Sequence, residues 1–311
     1  MTRKTMVMTI NCPIPTPDNC ANYDRTVRIE KPKIMAEAKK KVDVIFRKKS
    51  SAAVSKLGFQ GEMLKFLEEE EKDIAWKATI FKVPRGVMAW AVRAGTNTLA
   101  TPDNLARWGR PVDTRCSMSG CDSFCSLGHM LSACSKSLDR FKFRHDSVLT
   151  HLLTTINKNK KEGVTTYADL NGWRVNGGTV PPDLVLTEQI PDLVIIDRTA
   201  KVVLLELTVP WDSANAFKAA LDRKTERYER LALDLEERGF IVSNMPLEIG
   251  CRGVIDKRNS LLLETICNMF GIRAHLRLKG ALARIALLGS YRIYLARKSS
   301  EWNGGELIKV S

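Results

Sequence analysis

The stretch PDLVIIDRTAKVVLLELTVPWD, residues 191–212, decides how this chain is read. Two apolar runs, 193–197 and 202–209, are joined by the polar RTAK, which by length and composition predicts a β-hairpin. Asp192 opens the first run and Glu206 sits inside the second, so hairpin pairing would bring their carboxylates close. A carboxylate within VVLLELTV is costly unless it faces water or serves chemistry. The alternation Leu205, Glu206, Leu207, Thr208 allows the first option, with Glu206 and Thr208 on a wet face. The company favours the second, because Lys224 lies on the following helix with Tyr228 one turn later on the same face. Two carboxylates sharing a site repel and raise one pKa unless a cation resolves the conflict. Mg²⁺ does this through carboxylate oxygens and leaves coordination positions for a phosphate. From residue types alone, a metal-binding pair and a plain surface sheet both remain open.

Outward from the hairpin, the periodicity predicts a long helix over 213–238, ended by Gly239, and a further strand in FIVSNMPLEIG. Two apolar, basic helices follow at 258–270 and 274–297. Upstream, HDSVLTHLLTTINKNKK carries a helical stripe at 148, 149, 152, 153 and 156, and WRVNGGTVPPDLVL is strand-like around a Gly-Gly turn. EMLKFLEEEEKDIAWKATIF places Leu64, Leu67, Ile74 and Trp76 near one helical face. GVMAWAVRAGTNTL after Pro84 predicts another helix, and TPDNLARWGRP a turn and a short helix. Residues 1–56 read as a mostly flexible basic arm with a short helix around 34–48. The expected class is α/β, a small mixed sheet flanked by helices.

The 311 residues carry 49 Lys and Arg against 35 acids, a net charge of +14, which favours a polyanionic partner such as nucleic acid. The charge is uneven. Residues 31–56 hold nine basic residues against two acids, and 273–298 hold seven against none, so two basic ends could grip a phosphate backbone. MTRKTMVMTINCP lacks the apolar core of a signal peptide. ALARIALLGSYRIYLA is too short for a membrane span and carries Arg284 and Arg292.

Four of the eight cysteines fall between positions 116 and 134, and His129 lies among them. Zinc needs four soft or borderline donors from two short segments that fold back on each other. Cys116 and Cys121 can supply a knuckle, with His129 and Cys134 on a following helical turn and Cys125 as a possible substitute. The four-residue gap after Cys116 is looser than the usual two.

RHDSVL at 144–149, PDLVI at 191–195, LELTVPWD at 205–212, KTERYERL at 224–231 and LEIGCRG at 247–253 occur in that order behind the Cys/His cluster. Together they resemble the C-terminal region of site-specific non-LTR retrotransposon polyproteins that carry a restriction-like endonuclease. PRGVMAWAVRAGTNTLATPDNLARWG resembles the linker before the zinc knuckle of such proteins, and the resemblance spans roughly residues 58–297. It implies a PD-(D/E)xK nuclease core that nicks target DNA to prime reverse transcription. Asp192 and Glu206 would hold Mg²⁺. Thr208 stands where the usual lysine follows the second acid, and Lys224 matches the displaced lysine of the family, with Tyr228 beside it. Asp146 would be an auxiliary acid, or else a stabilising acid in the first turn of a helix. Arg144 and His145 would approach DNA or buttress the site.

Two departures from the family stand out. Ser119 occupies the position of the usual second knuckle cysteine, and no YADD-like polymerase motif is present; TTYADL lacks the second acid. The expected organisation is a basic arm (1–56), a helical linker (57–112), a zinc-knuckle-like module (113–140), the nuclease core (141–256) and basic C-terminal helices (257–311). The expected function is a Mg²⁺-dependent DNA endonuclease of retroelement origin, a fragment or remnant without its polymerase, with Zn²⁺ as a structural metal. DNA and possibly element RNA are the expected partners, with neither membrane nor small-molecule substrate. Nuclear residence follows from the substrate, and the KKK and RKK patches fit import. The competing expectation is a catalytically inactive nucleic-acid-binding remnant.

Overall fold

The hairpin forms as its pattern requires. In the computed structural model, which describes residues 25–69, 79–299 and 301–310, Leu193–Ile196 and Lys201–Thr208 pair antiparallel with Leu193 opposite Leu205. We number these strands β2 and β3. Thr165–Ala168 (β1) adds antiparallel to β2, and Ile241–Glu248 (β4) adds parallel to β3, so the sheet is mixed, in the order β1-β2-β3-β4. The β1 strand went unread because TTYA is short and lacks an alternating pattern. WRVNGGTVPPDLVL, expected to be strand-like, forms only the tight Val175–Gly178 bridge.

The helices are α1 (Arg25–Ser55), α2 (Glu62–Glu69), α3 (Arg85–Gly95), α4 (Pro102–Arg107), α5 (Leu138–Asn159), α6 (Ala214–Glu237), α7 (Lys257–Met269) and α8 (His275–Leu295). The chain divides into two units, Met1–Ala53 and Val54–Ser311. In the first, α1 is longer than the expected 34–48 segment and replaces most of the expected flexible arm. Nothing between Lys33 and Ser55 interrupts it, since that stretch holds neither Gly nor Pro. Its described side chains from 33 to 46 are exposed. Residues 1–24, Ile74 and Trp76 lie outside the described residues.

In the second unit the sheet is covered on both faces. Leu193, Ile195, Val203, Leu205 and Leu207 pack with α5, α7 and α8. Val194, Val202 and Leu204 pack against Tyr228, Leu231 and Leu235 of α6. This double coverage explains the near-continuous apolar run of β3, and β3 is therefore a central strand without a wet face. The α5 stripe Val148, Leu149, Leu152, Leu153 and Ile156 is fully buried, as its spacing predicts. The helix starts at Leu138, so Asp146 stands in its third turn and the first-turn role does not apply. A third apolar cluster joins α3 to the Cys/His segment and α8 through Trp90, Ala94, Leu127, Leu131, Leu287 and Ile293.

Candidate active site and metal centre

Continuing the β2–β3 register one step sets Asp192 opposite Glu206. The two are locked reciprocally: Asp192 N–H donates to Glu206 Oε1 (3.2 Å), and Leu207 N–H donates to Asp192 Oδ2 (2.8 Å). Glu206 extends the row Val202, Leu204 on the α6 face, with only 1% of its surface exposed. Above it runs the α6 stripe Lys224, Tyr228, Leu231, Leu235, spaced four, three and four residues apart. The stripe is apolar where the sheet row is apolar and cationic where the row ends in Glu206. Lys224 Nζ forms a short ion pair with Glu206 Oε2 and lies 4.0 Å from Asp192 Oδ2.

His145 reaches the same point from α5. Its Nε2 lies 3.2 Å from Asp192 Oδ2, and its Nδ1 lies 3.1 Å from Asp146 Oδ1. Lys142, one turn earlier, pairs with Asp146 at 3.3 Å. The site is thus a chain of alternating charge: Lys142, Asp146, His145, Asp192, Lys224, Glu206. Burial alone would push Glu206 up, and the neighbouring Asp192 adds to it; Lys224 opposes both, and the result is about 7. Burial also acts against ionised Asp192, but the His145 contact outweighs it and holds that carboxyl well below its ordinary value. Burial works against charge on His145 too, yet the bonds to Asp146 and Asp192 raise it to about 9. One acid is firmly ionised and its partner is held near neutrality.

Two residues expected at the site act as supports. Arg144 is 1% exposed, and of the two roles expected for it, buttressing the site is the one its contacts describe. Its guanidinium donates to Leu131 O (2.8 Å), Ser290 Oγ (2.8 Å) and Val209 O (3.2 Å), tying the Cys/His segment, α8 and the end of β3 together. Gly289 makes this possible, since a Cβ there would lie 2.6 Å from Arg144 Cγ. Tyr228 is fully buried and donates to Ile190 O (3.0 Å), which holds the segment leading into Asp192. Burial and then Glu206 push its phenol well above the usual range, so it stays protonated.

The sequence reading missed a buried anchor beside the site. Asp212 accepts from Arg252 Nε (3.1 Å), Arg252 N (2.9 Å), Val254 N (3.2 Å) and Cys251 Sγ (3.3 Å), while Arg252 stacks 3.7 Å over Trp211. This binds the WD of LELTVPWD to the CRG of LEIGCRG. The acid after an aromatic, followed forty positions later by an arginine between a cysteine and a glycine, was the only trace of it in the sequence.

The second cluster is built from a small loop and a helical turn. Arg115 and Phe124 bridge the loop, Cys116 N–H donates to Ser123 O (2.9 Å), and a turn from Met118 to Cys121 passes through Gly120 at φ 72°. That left-handed glycine turn absorbs the extra residues between Cys116 and Cys121. A single π-helical turn, His129–Ala133, then presents His129 and Cys134. The ligand atoms of Cys116, Cys121, His129 and Cys134 all lie within 4.8 Å of one another. The Cys116–Cys134 and Cys121–Cys134 sulfur separations are both 3.9 Å, and Cys121 Sγ lies 3.5 Å from His129 Nε2. Tetrahedral zinc with ordinary bond lengths spaces two sulfurs by about 3.8 Å and sulfur from nitrogen by about 3.6 Å. The four residues can therefore hold a metal ion such as zinc. Cys125, the possible substitute, is instead packed in the apolar cluster with Leu127 and Met130. Burial pushes the Cys116 thiol up to about 12 and keeps His129 low, hence neutral and able to ligate.

Fold and site define an α/β protein with a Cys₃His cluster beside a buried acid–lysine–histidine chain. No family model matches the chain, and no curated protein matches it. No helix among the described residues is long and apolar enough to cross a membrane.

Proposed function

We propose that this chain is a Mg²⁺-dependent DNA endonuclease of retroelement origin, with a PD-(D/E)xK-type site at Asp192, Glu206 and Lys224. The observation that carries this reading is the convergence of Asp192 and Glu206 from paired strands with Lys224 from the next helix. The donor set fits a hard cation. Glu206 is raised to about 7 by burial and by Asp192, and a divalent ion at the pair would relieve that repulsion. When bound, Mg²⁺ supplies neutralisation and polarisation of a phosphoryl oxygen.

The chain's own residues do the rest. Asp192 and Glu206 would hold the ion, and Lys224, no longer needed to neutralise Glu206, would turn its ammonium to the charge developing on the phosphoryl oxygens. His145 orients Asp192, and Asp146 holds the other imidazole nitrogen and fixes the ring. Tyr228 positions the Ile190–Asp192 segment and does not touch substrate. The Cys₃His cluster would take structural Zn²⁺, and nuclear residence follows from a chromosomal substrate.

The test is relaxation of supercoiled plasmid by purified protein. Nicking should need Mg²⁺, stop with EDTA, and fall by at least about a hundredfold in Asp192→Ala and Lys224→Ala, the scale of losing one electrostatic group at a reacting centre. Nicking retained by Asp192→Ala would overturn the assignment. A folded wild-type chain that binds DNA without nicking it would support the competing remnant, in which the Lys224–Glu206 ion pair is permanent.

A further inference from the structure

A groove of about 340 Å³ opens beside the acid pair, between the Cys/His segment, α5, the end of β3 and α6. Its size is that of a ligand cleft, enough for a nucleotide unit or two and too small for a folded partner. Lys142, Arg144, His145, Thr208, Arg223 and Lys224 line it, and no acid does. Two of these cations are exposed, and one of them is uncommitted by the fold. Among the described residues, Lys142 is 60% exposed and pairs only with Asp146, while the Arg223 side chain is exposed and has no hydrogen-bond or ion-pair partner. The Thr208 hydroxyl is buried and has no hydrogen-bond partner among the described residues. A buried hydroxyl without a partner costs free energy, and a ligand oxygen in the groove would restore the bond. Phe141, Leu207, Val209 and Ser132 form the rest of the walls, the last from the π-helical turn that carries His129.

Resting on the nuclease reading, we propose that this groove is the subsite for the phosphodiester adjacent to the scissile one, held by Lys142 and Arg223 with Thr208 donating to a phosphate oxygen. A strand reacting at Asp192 and Glu206 must continue away from them, and this groove leads off toward the Cys/His segment lined with cations. The backbone then tracks along the wall that Ser132 supplies, so the Cys₃His cluster shapes the substrate path as well as its own loop. Phosphodiester chemistry is common to DNA and RNA, so both belong in the test.

The experiment measures binding and nicking together on the double variant Lys142→Ala/Arg223→Ala, on Thr208→Val, and on Lys218→Ala as a control from the exposed, outward side of α6. Fluorescence anisotropy with labelled DNA and RNA of one sequence, without added Mg²⁺ and over a salt series, reads binding without cleavage. The double variant should bind DNA at least tenfold more weakly, with a salt slope lower by about 2, one for each phosphate no longer neutralised. Thr208→Val should weaken binding severalfold at unchanged slope, and Lys218→Ala should match wild type. An equal effect on RNA would assign the groove to either backbone, and an effect on DNA alone would assign it to DNA. Unchanged affinity and slope in the double variant overturn the subsite, even where wild-type nicking stands. Weakened binding by the double variant of a chain that never nicks keeps the subsite and overturns only the catalytic reading.

Discussion

At the scale of single residues, the site stores its charge in three groups whose titration runs in different directions. Glu206 is raised from an ordinary 4.5 to about 7, so its stabilising contribution is complete below 4.5 and is lost as pH climbs toward 7. His145 is raised from 6.5 to about 9, so its contribution is present below 6.5 and is lost between there and about 9. Asp192 is depressed below 3.8, and its contribution is present above that value and lost on acidification. The metal-free chain should therefore lose stability steadily from pH 5 to pH 9. On the proposed reading Mg²⁺ binds the ionised pair, and it should then raise the melting temperature more at pH 8 than at pH 6. Thermal scans of wild type and Glu206→Gln with and without Mg²⁺ check this. An equal Mg²⁺ shift at both pH values, or an equal shift in the variant, counts against a cation at the pair. The acids themselves were legible, because a carboxylate in VVLLELTV has few physical excuses. Their partners were only half legible: Lys224 and Tyr228 follow from helical spacing, whereas the bridge through His145 depends on where α5 crosses the sheet, which no local pattern records.

At the scale of elements, most helices and three of the four strands followed from periodicity, since burial on one or two faces imposes a 3.6- or 2-residue rhythm. What periodicity could not show is which polar residues are spent holding elements together. Arg144 belongs to RHDSVL, whose arginine the sequence left open between approaching DNA and buttressing the site; it points inward because Gly289, 145 positions later, leaves room for it. Its hydrogen bonds to Leu131 O, Val209 O and Ser290 Oγ join three elements at the back of the site. Arg144→Ala leaves those buried acceptors without their donor and should cost roughly 2–4 kcal/mol, with Arg144→Lys recovering little because an ammonium cannot span the same fork. Gly289→Ala should cost about 1–3 kcal/mol by forcing the Arg144 stem aside. Because the two act on one contact, their effects should not add, and Gly289→Ala in an Arg144→Ala background should be nearly neutral. Urea unfolding of the four proteins reads the cycle. Additive losses would mean that the glycine serves some other purpose. The same logic explains why the Cys/His ligands were legible as a set while the choice among cysteines was not: the Gly120 turn admits Cys121, and apolar packing removes Cys125.

At the scale of the whole molecule, a net charge of +14 suggested two basic ends, but the fold treats them differently. The C-terminal cluster is used only in part by the fold: Arg273, Arg277, Arg292 and Lys298 stay exposed, while Lys279 and Arg297 are engaged. Lys279 is 3% exposed and bonds Glu264 Oε1 and Ser260 Oγ at 2.6 Å each, and Arg297 donates to Tyr294 O. Residues 1–53 carry 12 Lys and Arg against five acids, half of the net charge, and the described side chains of α1 from 33 to 46 are exposed. Phosphate contacts made by exposed cations release counterions, and each adds about 0.9 to the slope of log affinity against log salt. Deleting residues 1–53 should therefore lower that slope by about 3 or more and weaken DNA binding most at low salt. The unit from Val54 onward contains the sheet, the acid pair and the Cys₃His cluster, with an apolar core of its own, so its melting temperature and Mg²⁺ response should not change. Nicking by the shortened chain should then recover at high protein concentration, because the deletion removes encounter and hold but leaves the reacting centre whole. A slope unchanged by the deletion would place the phosphate contacts within residues 54–311. A fall in melting temperature would instead make residues 1–53 part of what stabilises the core.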